Sequence, residues 1–165
     1  MSKDYVTITD RLVAILTAER TGKLSEDLPT PVKAVRKGQY IPEPNQDKPV
    51  VCVRLARTGI EYVIAGNQTR CLRLKFIISG GVQTTTQAET HDQIVTLLAN
   101  VEQVLENYAS DSPYWSAGST GWVWPHEDEA GADYALVTLE PGQSVVMGHF
   151  VLQWACSVRV GRDAL

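Results

Sequence analysis

The chain has 165 residues, 44% of them hydrophobic and 21% charged, a composition and length that exclude a disordered chain and suit one domain able to bury about 70% of its unfolded-chain surface. Its net charge of −4 and pI near 5.3 argue against whole-chain affinity for nucleic acid or an anionic membrane, so any basic site must be local. No apolar run approaches the ~20 residues of a spanning helix, and Met1 to Tyr5 lacks the apolar core of a signal peptide; the expectation is a protein made and kept in a cytoplasm.

In chain order, residues 7–20 read as an amphipathic helix. Ile8, Leu12, Ile15 and Leu16 recur at helical spacing, with Asp10, Arg11, Glu19 and Arg20 filling the other positions. Thr7 is placed to cap this helix and Gly22 to end it. Leu24 to Pro49 carries Pro29, Pro31, Pro42, Pro44 and Pro49, which forbid a central strand or a continuous helix; a long arm is expected, with a short edge strand at Val32 to Arg36.

The pattern then changes to period two. Val51, Val53 and Leu55 alternate with Cys52, Arg54 and Ala56, and Leu72, Leu74, Phe76 and Ile78 alternate with Cys71, Arg73, Lys75 and Ile77. The connection from Thr58 to Thr69 has a β-prone stretch at Ile60 to Ile64 and a turn-prone Gly66-Asn67, so these strands should pair as a projecting hairpin. Ser79-Gly80-Gly81 reads as the exit from the second strand.

A helix from about Thr90 to Tyr108 is the organising element. Thr90-His91-Asp92-Gln93 has the form of a capping box. Ile94, Leu97, Leu98, Val101, Val104, Leu105 and Tyr108 follow at helical spacing, with Thr96, Asn100, Gln103 and Asn107 on the polar side. Residues 109–133 form a Ser-, Gly- and acid-rich loop holding Trp115, Trp122 and Trp124, ahead of a strand at Tyr134 to Leu139 and a turn at Pro141-Gly142. The final run, Val146 to Val160, alternates throughout and exceeds the common strand length, as in a ribbon that extends beyond the body. These elements make an α+β fold: an antiparallel or mixed sheet with both helices packed on its apolar face. The other face would display Arg54, Arg73, Lys75, Gln153, Ser157 and Arg159.

The chain offers little chemistry. Gly80-Gly81 lacks the phosphate-loop pattern and stands well ahead of the helix. No Gly-x-Ser-x-Gly elbow supports a serine nucleophile. His126-Glu127-Asp128-Glu129 is the densest cluster of acid, base and ligand types, but it lacks the alternating oxygens and glycine of a calcium loop and reads as a solvated loop. His91-Asp92 suits the first turn of a helix, and His149 has no evident partner. Cys52, Cys71 and Cys156 show no Cys-x-x-Cys spacing and read as buried structural thiols. The expectation is no catalytic set, no metal and no cofactor. The basic strand face lacks interleaved aromatics, so its cations should pair with acids on this chain or a neighbour. Trp115, Trp122 and Trp124 suit either interface anchors or a satellite cluster tucked against the body, and the sequence leaves both open.

This order of elements resembles the tail terminator, or tail completion, proteins of long-tailed bacteriophages. The likeness is carried by Val6 to Ala18, Arg70 to Ile78, His91-Asp92-Gln93-Ile94-Val95 through Leu105, and Gly148 to Val160, together about half the chain, as a pattern of elements. It implies a single-domain subunit of a hexameric ring, seated on the last ring of the tail tube, stopping its polymerisation and presenting a surface to the head connector. The implied partners are other copies of the chain, the tail tube protein, the head–tail connector or stopper protein and, as a further candidate, a sheath terminal ring. Genome DNA would pass through the lumen without specific binding. No membrane, cofactor or catalytic residue comes with the family, and the location implied is the tail or neck of the virion, after assembly in the host cytoplasm. Arg54, Arg73, Lys75, Trp115, Trp122, Trp124 and Arg159 are the candidate interface residues. The 109–133 insertion departs from the family and leaves its own partner open. Two other readings remain: a connector or stopper ring of the same neck, and a small ligand-binding or hydrolytic enzyme using His126 and its acids, which a deep pocket converging on them would favour.

Overall fold

The computed structural model of the chain describes residues 2–42, 48–64, 69–109, 123–138 and 145–161. In chain order these form α1 (Ser2–Ala18), a 3-10 turn (Lys23–Ser25), β1 (Ala34–Lys37), β2 (Val50–Ile64), β3 (Thr69–Thr84), α2 (Gln87–Ala109), β4 (Val123–Thr138) and β5 (Val146–Gly161). The strands build one open five-stranded sheet in the order β1-β2-β3-β5-β4. β1 runs parallel to β2 and every other pairing is antiparallel, so the fold is α+β with a mixed sheet. Among the described residues no helix is long and apolar enough to cross a membrane.

Register decides what is buried. Val51 lies opposite Gly80, Val53 opposite Ile78 and Leu55 opposite Phe76; Phe76, Ile78 and Gly80 in turn oppose Trp154, Leu152 and Phe150. The period-two alternation places all of these on one face. Against that face lie the stripes of α1 (Ile8, Leu12, Ile15, Leu16) and α2 (Ile94, Leu97, Val101, Val104, Leu105), closing the main apolar core. Gly148 lets α2 approach β5, because a Cβ there would lie 2.8 Å from Thr90 Cγ2.

Several elements differ from the sequence expectation. α1 begins at Ser2, so Thr7 is interior to it, and it ends at Ala18, ahead of Gly22. α2 begins at Gln87, one turn before the expected box. The cap is Thr86, whose Oγ1 accepts the Glu89 N–H at 3.3 Å. Thr90 is fully buried instead: its hydroxyl shares a 2.6 Å hydrogen bond with Thr84 and donates to the Val146 carbonyl at 3.2 Å. Asn100, expected on the polar side, is buried, and its side-chain amide donates to the carbonyls of Leu24 at 3.1 Å and Glu26 at 2.8 Å. Of the two acceptors, the carbonyl of the buried Leu24 is the one that would be costly to leave unpaired.

Gly80 and Gly81 do not end β3, which continues to Thr84. They are sites of close approach: a Cβ on Gly80 would lie 2.4 Å from the Val50 carbonyl oxygen and 2.7 Å from the Phe150 ring, and one on Gly81 would strike the Tyr40 hydroxyl. The edge strand lies at Ala34–Lys37, shifted from the expected Val32 to Arg36. β4 begins at Val123, well inside the stretch expected to be loop, with a register shift between His126 and Gly131.

After β1 the arm turns at Gly38, whose φ of 126° favours glycine and whose N–H donates to the Val53 carbonyl at 2.8 Å. Tyr40 is thereby carried under the outer face of the sheet, where it packs with Val50 and Cys52. Burial, then the neighbouring Cys52 thiol, pushes the Tyr40 phenol up to about 12 from 10.0, and its hydroxyl has no hydrogen-bond partner among the described residues. A raised folded-state value favours the neutral phenol. Its contribution to stability is therefore whole below pH 10 and is lost as pH rises towards about 12. The denaturation midpoint of the native protein is expected to fall more steeply across that window than that of Tyr40→Phe, which has no phenol to ionise; equal slopes would show that Tyr40 is solvated.

Candidate functional site

The face of the sheet away from the helices is built by the alternate residues of the same strands. Arg54 lies opposite Ile77, Arg73 opposite Glu61 and Ser157, Lys75 opposite Ala155, and Arg159 opposite Cys71. The expected basic positions therefore do share one face, and Arg54, Arg73 and Lys75 are half-buried there. The side chain of Arg159 lies outside the described residues.

Arg36 and Arg57 extend this basic region and were not singled out from sequence. Arg36 lies on β1 opposite Cys52, and both arginines are exposed. The signal available was the alternation of Ala34 and Arg36 within a proline-flanked strand. β2 bends at a register shift between Leu55 and Ile60. Gly59 permits the bend, since a Cβ there would lie 2.5 Å from the Lys75 carbonyl oxygen.

Trp115 and Trp122 lie outside the described residues. Trp124 is placed on β4 opposite Ser157, and its side chain likewise lies outside the description. The same holds for His126 to Glu129: His126 is opposite Ala155 in a strand, a correction to the expected loop.

On the outer face, a shallow depression of about 460 Å³ lies between Gly131 to Ala135 of β4 and His149, Val151 and Gln153 of β5. It exists because Gly131, Ala132 and Ala135 are small. Its titratable residues are Asp133, Tyr134 and His149, and the buried Nδ1 of His149 has no partner among the described residues. Among the described residues no group of three histidines, cysteines or acids is arranged to hold a metal. Cys52 and Cys156 are buried free thiols. Burial pushes both up, with Arg36 partly opposing the rise at Cys52, so neither is a ready nucleophile.

A second surface lies on the helix side at the end of the sheet. The His91 ring stands edge-on to Tyr134, with centroids 5.5 Å apart and His91 Nε2 3.3 Å from the Tyr134 hydroxyl. Sequence placed His91 only in a first turn beside Asp92; the 3.1 Å contact of His91 Nδ1 with the Asp92 carboxylate exists, and the tie to β4 is additional. Around it Val95, Tyr134 and Leu136 are 36%, 43% and 36% exposed, a small apolar patch at the margin of β4.

No family model matches the chain, and no curated protein is significantly similar to it. Fold and surface define an α+β protein whose single open sheet carries its helices on one face and a basic region on the other.

Proposed function

We propose that the chain is a structural subunit of a bacteriophage tail: a ring-forming tail terminator that caps the tail tube, stops its growth and offers the surface to which the head connector joins. One observation carries this reading beyond the order of elements. β2 has 15 residues and β3, β4 and β5 have 16 each, about three times the ordinary strand and roughly 50 Å of extended chain. Among the described side chains the apolar core runs from Val51 to Leu55 on β2, Leu74 to Val82 on β3 and Phe150 to Cys156 on β5. Strands of this length exceed what a small monomeric domain ordinarily carries. A ring subunit gains reach to its neighbour, because every cyclic contact needs two different surfaces on each copy.

On this reading the partners are further copies of the chain, the tube protein and the connector, and Arg54, Arg73 and Lys75 belong to the contact surface. The test is twofold: the solution mass of the purified protein, and images of tails assembled without it. Rings in solution, and tails of uncontrolled length in its absence, are the expected results. A protein monomeric at every concentration, together with normal tail lengths in its absence, would overturn the reading. Copurification with the portal and not with the tube would reassign it to the connector.

A further inference from the structure

We infer that the two margins of the sheet are the two halves of one contact between copies: the outer edge of β4 in one subunit adds to the open edge of β1 and β2 in the next. The sheet then continues from subunit to subunit. This deepens the ring reading and rests on it for closure of the ring, while the contact itself is argued from the edges.

β1 pairs with β2 only from Val50 to Val53. Among the described residues, β2 has no strand on that side from Arg54 to Ile64, and β4 at the other end pairs only with β5. Each margin thus presents a row of backbone donors and acceptors, a template for another strand. Their direction on β4 follows from one hydrogen bond. The Tyr134 N–H is taken by the Asp133 carboxylate at 2.8 Å, so it points away from β5. By the alternation of an antiparallel ladder, the N–H groups of Ala132 and Leu136 point outward too.

Charge selects the occupant. β4 carries the exposed Asp133, whereas the opposite margin carries Arg36, Arg54 and Arg57. Two β4 edges meeting about a twofold axis would set carboxylates against carboxylates. A head-to-tail contact sets them against guanidinium groups, so the heterologous arrangement is favoured over the isologous one. The exposed Tyr134, Leu136 and Val95 adjoin the β4 edge and add apolar area to the same contact.

Ala132→Pro removes an outward N–H and places a ring in the path of an added strand, leaving the β4–β5 ladder intact. Light scattering after size exclusion is expected to show rings for the native protein and monomers for Ala132→Pro, with circular dichroism unchanged. Arg57→Glu, exposed and remote from β4, is expected to weaken association at least tenfold without dependence on how proline is tolerated. Mixing the two variants is the decisive step. Each keeps one sound edge, so an equimolar mixture should give dimers where either variant alone gives monomers. Native-like assembly by both variants, or a mixture that stays monomeric, overturns the edge contact and leaves the ring reading standing. A native protein that never associates overturns both. Rings built through these edges, with tail length unchanged in the protein's absence, would uphold the contact and sink the tail function.

Discussion

Replacing Phe76 by alanine is expected to lower folding stability by about 3–5 kcal/mol, the range for truncating a packed aromatic side chain. Phe76 is fully buried on β3, with Leu55 opposite on β2 and Trp154 opposite on β5. Its ring lies 6.0 Å from that of Trp154, tilted by 51°, so the substitution removes an aromatic pair as well as volume. Three strands meet at this side chain, and the cavity left between two antiparallel ladders and a helix layer has little freedom to collapse. For a chain of this size each kcal/mol is worth about 2–4 °C, so the melting temperature should fall by about 6–20 °C. Gln153→Ala, exposed on the outer face, is the matched control and should stay within about 0.5 kcal/mol of the native protein. Equal effects for the two variants would place Phe76 outside the packed core.

Gly80→Ala is expected to destabilise by an amount at or above the upper end of the ~1–3 kcal/mol usual for overpacking. Two effects compete. Alanine restricts the unfolded chain, which by itself would stabilise by about 0.4–1 kcal/mol. Against this, the new Cβ would lie 2.4 Å from the Val50 carbonyl oxygen and 2.7 Å from the Phe150 ring. The first of those atoms is backbone of the adjacent strand and cannot rotate away, so the steric cost wins. Denaturant unfolding of the purified variant measures the sign. A stabilised Gly80→Ala would mean that β2 and β3 stand further apart at this point than the close approach requires. The sign distinguishes a glycine that ends a strand from one that lets a sheet close.

Much of the fold was legible because its signals are local. Alternation in β2, β3 and β5 and the stripes of α1 and α2 named nearly every core residue, since a residue's face depends only on the geometry of its own element. The misreadings have a common cause. Thr90 looked like a cap and Asn100 like a surface residue because their partners, the Val146 carbonyl and the carbonyls of Leu24 and Glu26, are distant in sequence. The residues from Val123 to Asp133 looked like loop because Pro125, Gly131 and the acids are poor strand formers, yet they lie along β5 at the sheet margin, where only one side needs pairing.

The candidate surface divides in the same way. Arg54, Arg73 and Lys75 were assigned to one face by alternation, whereas the place of Arg36 beside them depended on β1 pairing parallel to β2. By itself, the sequence determined the α+β class, the helical stripes and the two faces of each long strand, because 3.6-residue and two-residue periods are written along a single element. Only the tertiary structure decided the order β1-β2-β3-β5-β4, the burial of Tyr40 under the outer face, and the placing of Arg36 beside the basic positions of β2. Those features arise when strands distant along the chain choose neighbours, a choice set by backbone hydrogen bonding and packing across the sheet and not by any one segment.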